Sequence, residues 1–358
     1  MIKNMWYAVM ASKSVKRGKI VGAKRFSENL IFYRDGSGRV SCATARCPHR
    51  GASLVCGCMK DGHVQCPFHG IEFDMDGKCV LIPSNGRASA ANNHRFDLKM
   101  YPTRETGGII FVWYYEEDSL QEVVRKRYFS DGDKDRDISL DEINRLIGEP
   151  DVFDVMKDPT YVYSHIEDIW SVHYSRVIEN QLDVSHLAFV HHNTIGRGNK
   201  TLSHGPRVDW LDDHTFITSA NNETDTGQKP KTSDEAVIKD TNLTFKFPNI
   251  WLNHVSDKLM ILACFVPVDE EHTIIALRFY DKITRCRPVD KLIAWMGGKA
   301  NKVVEKQDKR IVQTQLPKRS DLRIGERLVA ADRPIVEYRK KRAELQERDV
   351  ADGPSVLE

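Results

Sequence analysis

Two short loops constrain this chain of 358 residues more than any other feature. Cys47-Pro48-His49-Arg50-Gly51 and Cys66-Pro67-Phe68-His69-Gly70 each offer one thiol and one imidazole, spaced Cys-x-His and Cys-x-x-His. They fall in a stretch, residues 20–115, of short β-branched or alternating runs broken by the turn signals Asp35-Gly36-Ser37-Gly38, Asp76-Gly77 and Gly107-Gly108. That pattern predicts an all-β domain with the two loops at strand ends. Two thiolates and two imidazoles are the inventory of a tetrahedral zinc site. They equally suit a two-iron cluster with one iron held by sulfur and the other by nitrogen. The Cys-x-His step is too tight for the usual zinc-finger spacings, and a Pro after each Cys with a Gly closing each loop suits two hairpin-like loops that clamp a cluster between them.

CPHRGASL followed by CPFHGIEFDMDGKC resembles the Rieske signature. The resemblance implies a [2Fe–2S] cluster on Cys47, His49, Cys66 and His69. Respiratory Rieske proteins usually add a cysteine to each loop; Ala52 and Phe68 stand at those positions here, which favours the oxygenase type. Cys42, Cys56, Cys58 and Cys79 fit no ligand spacing and are expected to be structural, since free cysteines are commonly small buried hydrophobes. His63 is expected in a solvated turn.

In the second half, YVYSHIEDIWSVHYSRVIENQLDVSHLAFVHH (161–192) places Ile166, Ile169, Trp170, Val177, Ile178 and Leu182 at near-helical spacing, which predicts helix over most of the segment. Asn180, Asp183 and His186 fall three apart, a polar stripe along that helix. On an unbroken helix His191 would lie roughly 140° round from His186, so the helix must end or distort if both bind one metal. Two imidazoles and a carboxylate make the facial triad that leaves positions open on Fe(II). A lone His or helical Asp is ordinarily packed or solvated, and only the joint spacing argues otherwise.

Asn180, Asp183, His186 and His191 resemble the mononuclear-iron motif of Rieske non-haem iron oxygenases. That resemblance makes His186 and His191 ligands, Asn180 a site-lining residue and Asp183 a bridge for electron transfer between the two metal sites. The third ligand would be Asp308 in VVEKQDKRIVQ, preferred over Glu305. His192 fits no spacing, and His165 and His173 are expected to be structural or pocket-lining. The resemblance runs from Trp6-Tyr7 to Tyr338-Arg339 and points to the single-subunit branch of dicamba and vanillate demethylases.

Runs between 207 and 285 alternate like antiparallel strands, and helices are expected around 288–312 and 329–347. The expected fold class is α+β: an all-β Rieske domain (1–116), a charged linker or insertion (117–150) and a helix-grip catalytic domain with a curved antiparallel sheet (151–358). In the insertion, Asp131, Asp133, Asp135, Asp137, Ser139 and Glu142 fall on the ligand positions of an EF-hand loop. Arg136 stands where the sharp turn wants Gly, so a solvated helical linker is the preferred reading.

With 53 basic and 51 acidic side chains and no Lys/Arg block with interleaved aromatics, the chain carries no electrostatic footprint for nucleic acid. It shows neither a secretory signal nor an apolar run near the ~20 residues of a membrane span, so a soluble cytoplasmic protein is expected. The resemblance implies an oxygenase component, fed by an NAD(P)H-dependent reductase or a ferredoxin. It would use O₂ to hydroxylate or oxidatively demethylate a small aromatic or heterocyclic substrate, as a homotrimer. The rival from another class is a Rieske electron carrier whose second domain only docks partners. Asn253 resembles a pocket position of the dicamba branch, and Arg278 is a candidate partner for a substrate carboxylate.

Overall fold

The computed structural model describes every residue except 87–93, 117–119, 130–137, 139 and 352–358. The chain divides into two compact units, one of Met1–Pro150 with the chain from Gln346 onward, the other Asp151–Leu345.

The first unit carries strands β1 (Met5–Ala11), β2 (Ile20–Arg25), β3 (Glu28–Arg34), β4 (Val40–Thr44), β5 (Cys58–Lys60), β6 (His63–Gln65), β7 (Glu72–Phe73), β8 (Cys79–Leu81), β9 (Met100–Tyr101), β10 (Thr103–Thr106) and β11 (Ile109–Tyr114). Helices α1 (Leu120–Tyr128) and α2 (Leu140–Ile147) follow. The strands form three sheets, in the orders β1-β11-β10, β2-β3-β4-β9 and β5-β6-β7-β8. β3 has Leu30 to Tyr33 buried on both its faces, as an interior strand requires. Ile31, Tyr33, Leu54, Val64, Ile71 and Phe73 form a core that also includes Cys47 and Cys66. The EF-hand-like residues Asp131, Asp133, Asp135, Asp137 and Ser139 lie outside the described residues, and Glu142 sits in α2.

The second unit carries β12 (Val162–Trp170), α3 (Tyr174–Leu182), α4 (Leu187–Val190), β13 (Leu202–Ser203), β14 (Val208–Asp212), β15 (Thr215–Ser219), β16 (Asn222–Glu223), β17 (Asn242–Lys246), β18 (Ile250–Ser256), β19 (Leu259–Pro267), β20 (Thr273–Asp281), α5 (Arg287–Val312) and α6 (Arg333–Ala351), whose last residues join the first unit. Seven strands make one antiparallel sheet in the order β12-β20-β19-β18-β17-β15-β14. α5 packs on β12 and β20. Two glycines permit the approach: a Cβ on Gly297 would lie 2.5 Å from the Phe279 ring, and one on Gly298 would lie 2.5 Å from Ser164 Oγ.

Three expectations are corrected here. Residues 162–170 are a strand rather than the start of a helix. Ser164, Ile166, Asp168 and Trp170 belong to the face toward α5, so the near-helical spacing of Ile166, Ile169 and Trp170 mixes residues from opposite faces of a strand. Asn180, Asp183 and His186 do not share one helix. α3 stops at Leu182, and Asp183 is extended (φ −87°, ψ 128°) because its Oδ1 accepts from the Ser185 N–H (2.7 Å) and hydroxyl (2.6 Å), a local turn that competes with helix. His63 is in β6, paired with Lys60 and 3.5 Å from Glu72, rather than in a solvated turn.

Candidate metal centres

The two Cys/His loops of the first unit are built alike. Each is closed by one antiparallel pair, Arg46 with Ser53 and Gln65 with Glu72. In the first loop the Cys47 N–H donates to Ala52 O (2.9 Å) and Gly51 N–H returns to Cys47 O (2.9 Å). In the second, Cys66 N–H donates to Ile71 O (2.8 Å) and Gly70 N–H to Cys66 O (3.1 Å). Gly51 and Gly70 both take φ +71°, which explains why each loop needs glycine there.

The fold thus sets both sulfurs inward and both imidazoles outward. Cys47 and Cys66 are buried side by side in the core, while His49 and His69 are exposed with ring centroids 4.6 Å apart. Burial pushes the Cys47 thiol up to about 11, against the pull of the His49 and Arg50 backbone N–H groups. A bound metal reverses that balance, since a coordinating thiol is deprotonated outright. Phe68, where a respiratory-type loop would carry cysteine, is 60% exposed beneath the Arg50 guanidinium at 5.7 Å. Cys42 and Cys79 are buried as expected, but Cys56 and Cys58 are exposed and are no part of the core.

In the second unit, the break after α3 turns His186 and His191 toward α5. Donor atoms of His186, His191 and Asp308 all lie within 4.8 Å of one another. Asp308 Oδ1 is 2.9 Å from His191 Nε2 and 3.3 Å from His186 Nε2, and Oδ1 and His191 Nε2 are buried without a hydrogen-bond partner among the described residues. Buried polar atoms are nearly always satisfied, so this convergence fits a cation. Burial would depress the His186 pKa, but the Asp183 and Asp308 carboxylates outweigh it and raise it to about 9. Asp308 is held below the usual carboxylate range: burial opposes this, and the two imidazoles overcome it.

Asp183 lies 3.3 Å from His186 Nδ1 through Oδ2. Asn180, on the last turn of α3, has a buried Nδ2 without a hydrogen-bond partner among the described residues. Glu305 turns elsewhere: it accepts from the Trp170 indole N–H and lies against Asp168. His192 is exposed and bonds Phe189 O, and His165 pairs with Glu167. His173 is a buried N-cap of α3 that accepts from Ser175 N–H (3.2 Å). Register places Asn253 in line with Ile261, Phe279 and Ser164 on the sheet face that meets α5. Arg278 alternates to the other face, over the Tyr163 ring at 4.4 Å, which removes it as a partner for a ligand held between sheet and α5.

α3 is clamped by buried charge. Arg339 of α6 makes a bidentate pair with Glu179 (2.7 and 2.9 Å), Arg176 adds a third contact to Glu179 (3.2 Å), and Glu326 neutralises both arginines. No sequence pattern announced this cluster. Sequence reasoning also missed Gln307, Asn193 and Thr194, which surround His191. Their adjacency to Asp308 and to the histidines is the signal that could have found them.

Comparison with known proteins places both halves of the chain in known families. The Rieske [2Fe-2S] domain family matches residues 5–102, and the vanillate O-demethylase oxygenase C-terminal domain family matches residues 170–348, half of the chain. The oxygenase subunit of 3-chlorobenzoate-3,4-dioxygenase from Comamonas testosteroni is 24% identical over 77% of this chain and 58% of its own length. Protein TIC 55 of Pisum sativum is 36% identical over 30% of this chain and 19% of its own. The chain therefore spans less than two thirds of the length of these curated relatives. In fold it resembles dicamba monooxygenase (TM-score 0.69, 19% identity, 98% of this chain and 99% of that one). It likewise resembles NdmA of Pseudomonas putida CBB5 (TM-score 0.72, 20% identity, 98% and 95%). Among the described residues no helix is long and apolar enough to cross a membrane. A [2Fe–2S] domain joined to a C-terminal domain of a family that uses mononuclear iron leaves one assignment: the chain belongs to the Rieske non-haem iron oxygenases.

Proposed function

We propose that this chain is an oxygenase component in which Cys47, His49, Cys66 and His69 hold the [2Fe–2S] cluster and His186, His191 and Asp308 hold Fe(II). The observation that carries the reading is the convergence of two imidazoles and a carboxylate on one buried point, with Asp308 Oδ1 and His191 Nε2 otherwise unpartnered. An electron carrier needs only the first site, so the second site and its matched C-terminal domain support an oxygenase. Iron held by His186, His191 and Asp308 would supply O₂ activation there.

The chain's own groups would then do the following. His186 would give up its second proton on loading, because a ligating imidazole must be neutral. Asp183 and Asn180 stand at the side of the site toward α3, and Asp183 would bridge electron transfer from a cluster. The α5-facing side of the sheet, with Ile261, Phe279 and Asn253, would shape the pocket: apolar area to exclude water and one amide to orient a polar substituent. The substrate class is a small aromatic or heterocyclic compound, hydroxylated or oxidatively demethylated. The electrons would come from an NAD(P)H-dependent reductase or a ferredoxin, and the working form would be a homotrimer in the cytoplasm. The domain limits would be 1–116, 117–150 and 151–358.

Metal analysis and turnover test this together. About three irons per chain, with a Rieske EPR signal, are expected. Methoxylated, N-methylated and plain aromatic acids, screened for coupled NADH and O₂ consumption with a reductase, should yield a substrate. His69→Ala should lose the EPR signal, and a full signal in that variant would remove the cluster assignment. Two irons per chain and no product with any class would return the electron carrier.

A further inference from the structure

We propose that Gln307 is a positioning residue that holds His191 in the tautomer able to bind a metal, an inference that rests on the triad read above. His191 is completely buried. A neutral imidazole has one N–H, and whichever nitrogen carries it is closed to a metal. His191 Nδ1 lies 2.8 Å from Gln307 Oε1, and a carbonyl oxygen can only accept. The proton therefore belongs on Nδ1. Nε2 is left as a bare acceptor 2.9 Å from Asp308 Oδ1, also an acceptor, and among the described residues neither atom has a hydrogen-bond partner. Two acceptors facing each other at that distance want a cation between them.

The opposite tautomer would be self-sealing. With the proton on Nε2, His191 would donate straight into Asp308 Oδ1 and fill the place of the metal. The side chain of Gln307 decides between the two because its amide is tied at both ends. Its Nε2 donates to Asn193 Oδ1 (3.0 Å), and its Oε1 accepts a second bond from the Thr194 hydroxyl (2.9 Å). Gln307 directly precedes Asp308 on α5, and Asn193 and Thr194 closely follow His191. The residues that set the tautomer are thus built into the same two segments that carry two of the three ligands. Partners of this kind, orienting a ligating histidine through its second nitrogen, commonly govern metal affinity.

The test compares wild type, Gln307→Leu and Gln307→Glu, each purified with the Rieske cluster in place and the mononuclear site emptied by chelation. Co(II) is titrated anaerobically by calorimetry. Gln307→Leu should bind Co(II) about 10–100-fold more weakly, the usual consequence of losing such a partner. Gln307→Glu should bind within about threefold of wild type, because its carboxylate accepts the same N–H. Imidazole ¹⁵N shifts of the metal-free protein provide a second readout: His191 should carry its proton on Nδ1 in wild type and on Nε2 in Gln307→Leu. Wild-type Co(II) affinity in Gln307→Leu, or an Nε2–H tautomer in the wild-type protein, would overturn the proposal. Should Gln307→Leu fail to fold, judged by melting and the Rieske EPR signal, the wild-type ¹⁵N shifts decide alone. If wild type binds no Co(II) and His186→Ala changes nothing, the fault lies with the triad itself.

Discussion

Nε2 of His191 stands 2.9 Å from Oδ1 of Asp308, although one residue comes from the loop after α4 and the other from α5 near the opposite end of the second unit. The same oxygen faces His186, so one carboxylate is shared by two imidazoles. In the metal-free protein the second proton of His186 competes with any cation.

A definite pH dependence of metal uptake follows. His186 is raised from 6.5 to about 9, so below that pH a metal must displace a proton. Affinity for Fe(II) or Co(II) should rise about tenfold per pH unit between pH 7 and 9 and level off above, the slope of one released proton. Asp308→Asn should lose tight binding while leaving the Rieske signal intact. Titrations at pH 7, 8 and 9 measure it, and an affinity indifferent to pH would show that His186 has no second proton to lose when the metal binds.

Glu305, one turn before Asp308, predicts a separate effect on stability. Burial, with Asp168 beside it, lifts its carboxyl from 4.5 to about 7, while the Asp168 carboxylate stays ionised against Lys309 at 2.7 Å. The folded state therefore holds a proton that the unfolded chain releases from pH 4.5 upward. Stability falls as pH rises through this window, by up to about 1.4 kcal/mol per unit. Glu305→Gln keeps an acceptor for the Trp170 indole and removes the titration. It should be more stable than wild type at pH 7.5, by on the order of 1–3 kcal/mol, and no more stable at pH 4.5. Denaturant unfolding at the two pH values checks this; equal pH slopes would place the proton elsewhere.

How much of this was legible in the sequence depends on how far each signal reaches. Local chemistry was readable: the Cys/His loops, the clustering of His186 with His191, and Asp308 rather than Glu305 at their side. The choice of Asp308 came from family resemblance, since helical periodicity alone puts Glu305 and Asp308 on neighbouring positions of one buried face. The strand at 162–170 was misread because it is an edge strand with α5 packed on it. Apolar residues therefore occur on both faces, and the period-2 signal is blurred. The end of α3 at Leu182 rests on a side-chain bond from Asp183 to Ser185, which propensity does not weigh. Nothing in the sequence separates Glu179, Arg176 and Arg339 from ordinary surface charges. Only the tertiary packing of α6 on α3 makes them interior.

That buried cluster bears on stability. Glu179 is nearly inaccessible and is the shared anion of Arg176 and Arg339. Removing one partner of a buried pair strands the other charge, at a cost of about 3–5 kcal/mol. Glu179→Ala should lose that much in denaturant unfolding. Glu179→Gln, which keeps the acceptor oxygen, should lose less. Because α3 leads directly into Asp183 and His186, the Ala variant should also bind mononuclear metal more weakly. A neutral result for Glu179→Ala would mean that Glu326 alone satisfies both arginines.

The last prediction concerns Asp183. Its two oxygens are divided: Oδ1 accepts from Ser185, and Oδ2 lies 3.3 Å from Nδ1 of His186. Its side chain keeps partial exposure to solvent, and burial notwithstanding, His186 and Ser185 hold its carboxyl below the usual range. An ionised carboxylate with one oxygen on an imidazole of the mononuclear site and an open flank suits a bridge to a Rieske imidazole, since it accepts from two N–H groups at once. The proposed homotrimer would supply that second imidazole from a neighbouring copy. Asp183→Ala should then keep both metals and a cluster reducible by dithionite, while electron transfer to the mononuclear iron slows by orders of magnitude. Asp183→Asn should fall between, because an amide oxygen accepts but carries no charge. If Asp183 served only to end α3, its loss would cost about half a kcal/mol to 2 kcal/mol of stability and leave turnover unchanged. Single-turnover experiments on pre-reduced protein separate these outcomes: product formed at the wild-type rate in Asp183→Ala would eliminate the bridge, and with it the main reason to expect a trimer.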